Sequence, residues 1–185
     1  TLREFKRSGM ELTDEKRHKL KKIQTHLSEL GIAFSNNLTS NQDTLIINEK
    51  LTVGLPEDYK SARILPTGQY AIDLSYPSFY PFMKYAVSDS LRKLLRYKFL
   101  NIASPDNLDI LKEIISGCNA MSELLGYSSY ANYIIAESMA QTPVAVWEFE
   151  NRLRHSIEEK ANMDLQEMLE MKRKLSEIHD VILYD

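Results

Sequence analysis

Apolar residues return every three or four positions along most of this chain, the spacing of one buried helix face. Leu20, Ile23, Leu27, Leu30, Phe34 and Leu38 form one such row. It follows Thr13-Asp14-Glu15, a cap and first-turn acids, and should stop between Asn36 and Asn41. Thr1 to Leu12 reads as a lead-in. Gly31 lies off the row and costs about 1 kcal/mol relative to Ala. A second amphipathic helix is expected from Val87 to Asn101, with Leu91, Leu94, Leu95 and Phe99 inward. A third runs from Pro105 to Leu125, apolar at Leu108, Leu111, Ile115, Cys118 and Leu125, and a fourth from about Ser129 to Met139. The last begins at Pro143 and keeps one row from Val146 through Phe149, Leu153, Ile157, Ala161, Leu165, Met168, Met171 and Leu175 to Ile178. At 1.5 Å per residue such a helix is about 57 Å long, more than a compact domain of this size is wide.

Period two appears only twice. Thr44 to Ile47 is β-branched and short, and Gly68 to Leu74 alternates, so the two are expected to pair as a small sheet. Between them Leu55-Pro56-Glu57-Asp58 looks like a helix entry, and Tyr76-Pro77 to Tyr80-Pro81 like a turn-rich aromatic patch leading into a helix. Punctuation supports the later helices. Ser104 precedes Pro105, Ser128 follows a stop at Gly126, and Thr142 precedes Pro143. Gly126 is expected at positive φ as a helix-ending glycine. The fold class expected is mainly α, an elongated multi-helix body with a small antiparallel hairpin or sheet, over residues 1–185 as a single domain or fragment.

Composition narrows function mostly by exclusion. The chain has 185 residues, net charge −3 and one cysteine. That charge does not suggest a nucleic-acid partner. A lone Cys118 leaves no internal disulfide, and no apolar run reaches the roughly 18 residues of a membrane span. The first residues are charged and carry no signal-peptide core; the chain begins without Met and ends on Val181-Ile182-Leu183-Tyr184, which reads as a piece of something longer.

No catalytic or metal-ligating constellation emerges. Of His18, His26, His155 and His179, none forms H-E-x-x-H, which would place two zinc ligands on one helix face. His18 and His26 share a face but stand about 12 Å apart, too far for one ion. His155 to Glu159 lacks the second histidine. Cys118 reads as a buried thiol, Trp147 as a packing anchor, and the basic run Lys16 to Lys22 as a solvated face. Tyr76, Tyr80 and Tyr85 suit core or hairpin packing better than peptide stacking.

The ordered fragments nevertheless resemble a family. Glu123-Leu124-Leu125-Gly126-Tyr127-Ser128-Ser129-Tyr130-Ala131, then Met139-Ala140-Gln141-Thr142-Pro143 and Val146, are similar to the helical region of the thimet oligopeptidase and oligopeptidase A family of zinc metallopeptidases. Phe5 to Leu12, Leu27 to Leu30, Phe34 to Leu38, Gly54 to Asp58, Tyr76 to Pro81 and Arg92 fit the same pattern in order. The resemblance implies the N-terminal helical part of a metalloendopeptidase, one wall of a channel admitting short peptides. It places the H-E-x-x-H zinc site C-terminal to these residues, so no catalytic, cofactor-binding or metal residue transfers to this chain. Zinc is implied for the intact enzyme and none for this chain. The partners implied are short peptides and the missing catalytic part, without nucleic acid or membrane. A cytoplasmic location is implied, or a mitochondrial one for a chain like mitochondrial intermediate peptidase. The alternative is a stand-alone helical peptide-binding or scaffold module without catalysis.

Overall fold

The computed structural model describes residues 2–176. It is mostly helical with one two-stranded antiparallel sheet. The helices are α1 (Leu2–Arg7), α2 (Asp14–Thr39), α3 (Glu57–Ser61), α4 (Tyr76–Tyr85), α5 (Asp89–Leu100), α6 (Ser104–Leu124), α7 (Tyr130–Ile135) and α8 (Pro143–Ser176); the strands are β1 (Thr44–Ile47) and β2 (Tyr70–Asp73). The described residues divide into two compact units, 37–104 and the pair of segments 2–36 and 105–176.

The central unit is built on the hairpin. Leu45 pairs with Ile72 and Ile47 with Tyr70, so the alternation of period two sends these four inward while Ile46 faces out. They meet Leu55, Tyr59, Leu74, Phe79, Phe82, Ala86 and Leu95 in one apolar cluster. Met83, Leu91, Phe99 and Ile102 pack against it, and Phe79 stacks on Phe99 at 3.9 Å. Leu94, expected inward on α5, is exposed instead; it lies 100° round the helix from the wholly buried Leu95.

Tyr76 to Pro81 is not a turn ahead of a helix but the helix α4 itself. Pro77 lies in its first turn, where a missing N–H costs nothing. Pro81 lies inside and cannot donate to the carbonyl of Pro77 four residues back. That carbonyl accepts from Arg63 Nη2 at 3.1 Å instead. A donor distant in sequence therefore makes the second proline tolerable. Local pattern alone could not supply it.

In the other unit α2 and α6 pack along opposite directions. The Phe34 carbonyl accepts from Asn107 Nδ2, Leu27 lies over Gly117, and Leu20 and Leu125 meet around Gly9. A Cβ at Gly117 would sit 2.8 Å from Leu27 Cδ2, so glycine permits the close approach. The predicted row on α2 is confirmed at Leu20, Ile23, Leu27, Leu30 and Phe34, while Leu38 is exposed. On α6 the row is displaced. Asn107 and Ser122 are buried, and Leu108, Leu111 and Ile115 face out. Apolar residues occupy both sides of this helix, and hydrophobic spacing could not say which side meets α2.

The lead-in contains a helical segment, α1, ended by Gly9 at φ 86°. Thr13 and Thr142 cap as expected, accepting from the amides of Lys16 and Ala145. Gly126 has φ 85°. The cap of α7 is Ser129 and not Ser128: Ser129 Oγ accepts from the Asn132 amide, and Ser128 Oγ accepts only from the Asn132 side chain. This helix ends at Ile135, short of Met139, where Ser138 Oγ donates back to the Ile135 carbonyl. The 34 residues of α8 span about 51 Å. Its predicted row is exposed throughout from Phe149 to Leu175; Ile178 and His179 lie outside the described residues.

Candidate functional site

The most connected polar site is one that the sequence did not single out. It lies in the central unit, where α3, β2 and α4 meet. Arg63 reaches Ser78 Oγ through Nε at 3.2 Å and Nη2 at 3.0 Å, and the Tyr59 carbonyl through Nη1 at 3.0 Å. Its guanidinium also covers the Tyr59 ring at 3.8 Å. Ser78 Oγ donates to Asp73 Oδ2 at 2.9 Å, and Asp73 Oδ1 accepts from the Ser75 amide at 2.8 Å. Tyr59 closes the ring by donating to the Ser78 carbonyl at 2.7 Å.

Charge follows from these contacts. Burial pushes the Tyr59 phenol up to about 12, against the pull of Arg63. Burial alone would raise Asp73, but hydrogen bonds from Ser75 and Ser78, with Arg63 nearby, hold its carboxyl below the ordinary value. A serine between a guanidinium and a carboxylate suggests a nucleophile. The geometry denies it that role. Ser78 is 1% exposed, its proton is committed to Asp73 and its lone pairs to Arg63. No histidine is among its hydrogen-bond partners to take that proton. The network is a structural joint, assembled from residues 59 to 78 whose individual types carry no motif.

The residues weighed from sequence are scattered. His18 and His26 line a shallow hollow of about 320 Å3 with Lys21, Lys22, Thr25 and Glu29. His26 lies 3.4 Å from Glu113 on α6 and 3.9 Å from Glu29. His155 is exposed on α8. No group of three His, Cys, Asp or Glu side chains among the described residues is placed to hold a metal ion. The described side chains therefore assemble no ligand set for the zinc that the resemblance implies for an intact enzyme. Cys118 is half-buried on α6, close to Tyr130, whose hydroxyl is raised first by burial and then by that thiol.

Two aromatic expectations need correction. Trp147 is not a packing anchor: it is 67% exposed in the first turns of α8. Tyr76 and Tyr80 touch the core only in part. Their rings lie 5.5 Å apart, resting on Phe99 and Phe79, yet both remain more than half exposed. They form an aromatic shelf on the surface of the central unit. Hydrophobicity without the fold could not separate a shelf from a core.

Fold and site together describe a mostly helical body with a small antiparallel sheet and a polar joint around Arg63 and Ser78. The family model of Peptidase family M3 matches residues 82–185, more than half of the chain. The chain belongs to that family, a family of metallopeptidases. It is 31% identical over 184 residues to oligopeptidase A of Haemophilus influenzae, covering 91% of this chain and 27% of the relative. It is 29% identical to the thimet-like oligopeptidase of Dictyostelium discoideum, covering 95% and 26%, and 29% identical to saccharolysin of Saccharomyces cerevisiae, covering 92% and 25%. The chain thus spans about a quarter of the length of these curated relatives. No helix among the described residues is long and apolar enough to cross a membrane.

Proposed function

We propose that this chain serves as the N-terminal helical part of a zinc-dependent oligopeptidase, forming one wall of the channel in which short peptides are cut. The observation that carries the reading is membership of Peptidase family M3 together with near-complete coverage of the chain by only a quarter of each oligopeptidase. Zinc, when bound in such an enzyme, supplies a Lewis acid and an activated water. The residues of this chain contribute shape, not the ligands. On this reading the chain alone hydrolyses nothing, and its partners are short peptides and the catalytic part. A cytoplasmic or mitochondrial setting suits it.

The test is a fluorogenic-peptide assay of the purified chain with and without added zinc. No turnover in either condition is expected. Zinc-dependent turnover would overturn the division of labour. A second reading, a stand-alone peptide-binding module, draws support from the closed core of the central unit and its shelf of Tyr76 and Tyr80. Saturable peptide binding by the chain that Tyr76→Ala and Tyr80→Ala abolish would favour it.

A further inference from the structure

The outward row of α8 has no cover among the described residues. Phe149, Leu153, Ile157, Leu165, Met168 and Met171 are each 40–58% exposed. Around them the unit has little core of its own, since Leu20 is its one buried apolar side chain among the described residues. We propose that this row is a docking seam for the catalytic part of a family M3 peptidase, the polypeptide equivalent to the other three quarters of the relatives. The proposal rests on the peptidase reading above and names the surface through which it would operate.

Three observations select that occupant. First, the family match runs from residue 82 through all of α8, so the row belongs to the body that the family shares. The relatives carry about three times as much further polypeptide as this chain spans. Second, the row does not suit a second copy. From Val146 to Leu175 it advances 29 residues in eight steps, about 3.6 per step, the period of a straight helix. A two-stranded coil needs 3.5. The ion pair of Lys160 with Asp164 also interrupts it. Third, a lipid surface would select lysine and arginine on the polar face. Here Glu158, Glu159, Glu167 and Glu170 mix with Arg152, Arg154, Lys172 and Arg173, so the helix presents no basic excess. A straight, mostly apolar row with a charged interruption suits a folded protein surface with a polar group of its own.

The methionines supply the readout. Hydrogen peroxide transfers one oxygen to the thioether, giving the sulfoxide and water, at a rate set by exposure. In the 185-residue chain, Met168 and Met171 should oxidise at comparable rates. In a single polypeptide joining this chain to the remaining three quarters of the Haemophilus influenzae oligopeptidase A, both should oxidise at least tenfold more slowly. Ile157→Asp should leave the melting temperature of the chain alone within 2 °C and lower that of the chimera by more than 5 °C. Unprotected methionines in a chimera that cleaves peptides would remove the seam and keep the peptidase reading. Protected methionines in a chimera that cleaves nothing would keep the seam and remove that reading. If ultracentrifugation shows the chain alone to be a dimer that Ile157→Asp dissociates, a second copy is the occupant and the proposal falls.

Discussion

Residues 37–104 and the α2, α6 and α8 unit have similar proportions of apolar sequence and use it in opposite ways. The central unit holds eleven of the twelve buried apolar side chains among the described residues; the other holds Leu20. The central unit has three kinds of surface to close on one another, a hairpin face, α4 and α5. Long helices with apolar rows on more than one side cannot close that way by themselves. Burial is worth about 25 cal/mol per Å2 of apolar surface, so the first unit carries far more of this stabilisation within itself than the second. The difference teaches that a helix can be strongly encoded while its tertiary stability is supplied elsewhere.

The sharpest way to break this comparison is a matched pair of truncations. Phe82 is fully buried, so Phe82→Ala should cost about 3–5 kcal/mol. Leu153 is 46% exposed on α8, and Leu153→Ala should cost within about 0.5 kcal/mol in the isolated chain. Urea midpoints followed by near-ultraviolet circular dichroism measure both. Equal effects would mean that α8 is already buried in solution and the contrast is false.

A smaller effect probes why the central unit is rigid. Arg63→Met keeps the length of the stem but leaves the Pro77 carbonyl and the Ser78 hydroxyl without their donor, at about 2–3 kcal/mol. Arg63→Lys should recover little, because one ammonium cannot reach the separate acceptors that a planar fork spans. Full stability of the lysine variant would show that charge near Asp73, not the fork, matters.

How much of this was legible follows from where the information sits. The start of α2 at Thr13, the turn at Gly126 and the start of α8 after Thr142 are each written in residues within four positions of one another. They were readable because capping and glycine stereochemistry act locally. The outward Leu108, Leu111 and Ile115 were misread because α6 is apolar on two sides. The Arg63 joint was missed altogether: Arg63 and Ser78 are fifteen residues apart, and neither type announces the other. Pro81 is the instructive case. The proline was visible, and its tolerance depends on that unseen arginine.

Alkaline titration probes the joint of the central unit without mutation. The Tyr59 phenol is raised to about 12 in the fold against 10 for an ordinary tyrosine. Folding thus favours the protonated form. Its contribution is intact below pH 10 and is lost as pH rises from 10 toward 12, because the unfolded chain releases the proton first. A shift of about two units corresponds to roughly 2–3 kcal/mol at most. Asp73 acts at the other end: its lowered carboxyl helps above the ordinary value near 4 and stops helping as pH falls through the lower folded value. The central unit should therefore lose stability below pH 4 and above pH 10. Tyr59→Phe should flatten the alkaline limb, at the cost of the hydrogen bond to Ser78. Hydrogen exchange resolved to residues 70–85 is the measurement, and an unchanged alkaline limb would show that Tyr59 is not its cause.

The smallest expected effect compares two glycines. Both have positive φ, Gly54 at 90° in the central unit and Gly126 at 85° between α6 and α7. Alanine at either must adopt a left-handed conformation, a cost of about 1–2 kcal/mol. Their surroundings differ. A Cβ at Gly54 would lie 2.3 Å from the Tyr85 carbonyl oxygen, so the backbone at the end of α4 must move. A Cβ at Gly126 would meet nothing within 4 Å, so only the conformational cost remains. Gly126→Ala should therefore lower stability by about 1 kcal/mol, and Gly54→Ala by more, since overpacking adds its own cost. Asn, which tolerates this backbone region better than Ala, should recover part of the loss at Gly126 and little at Gly54. Chemical denaturation of the four variants decides it. If Gly54→Ala and Gly126→Ala cost the same, the tight seat of Gly54 against α4 is not what holds the central unit closed.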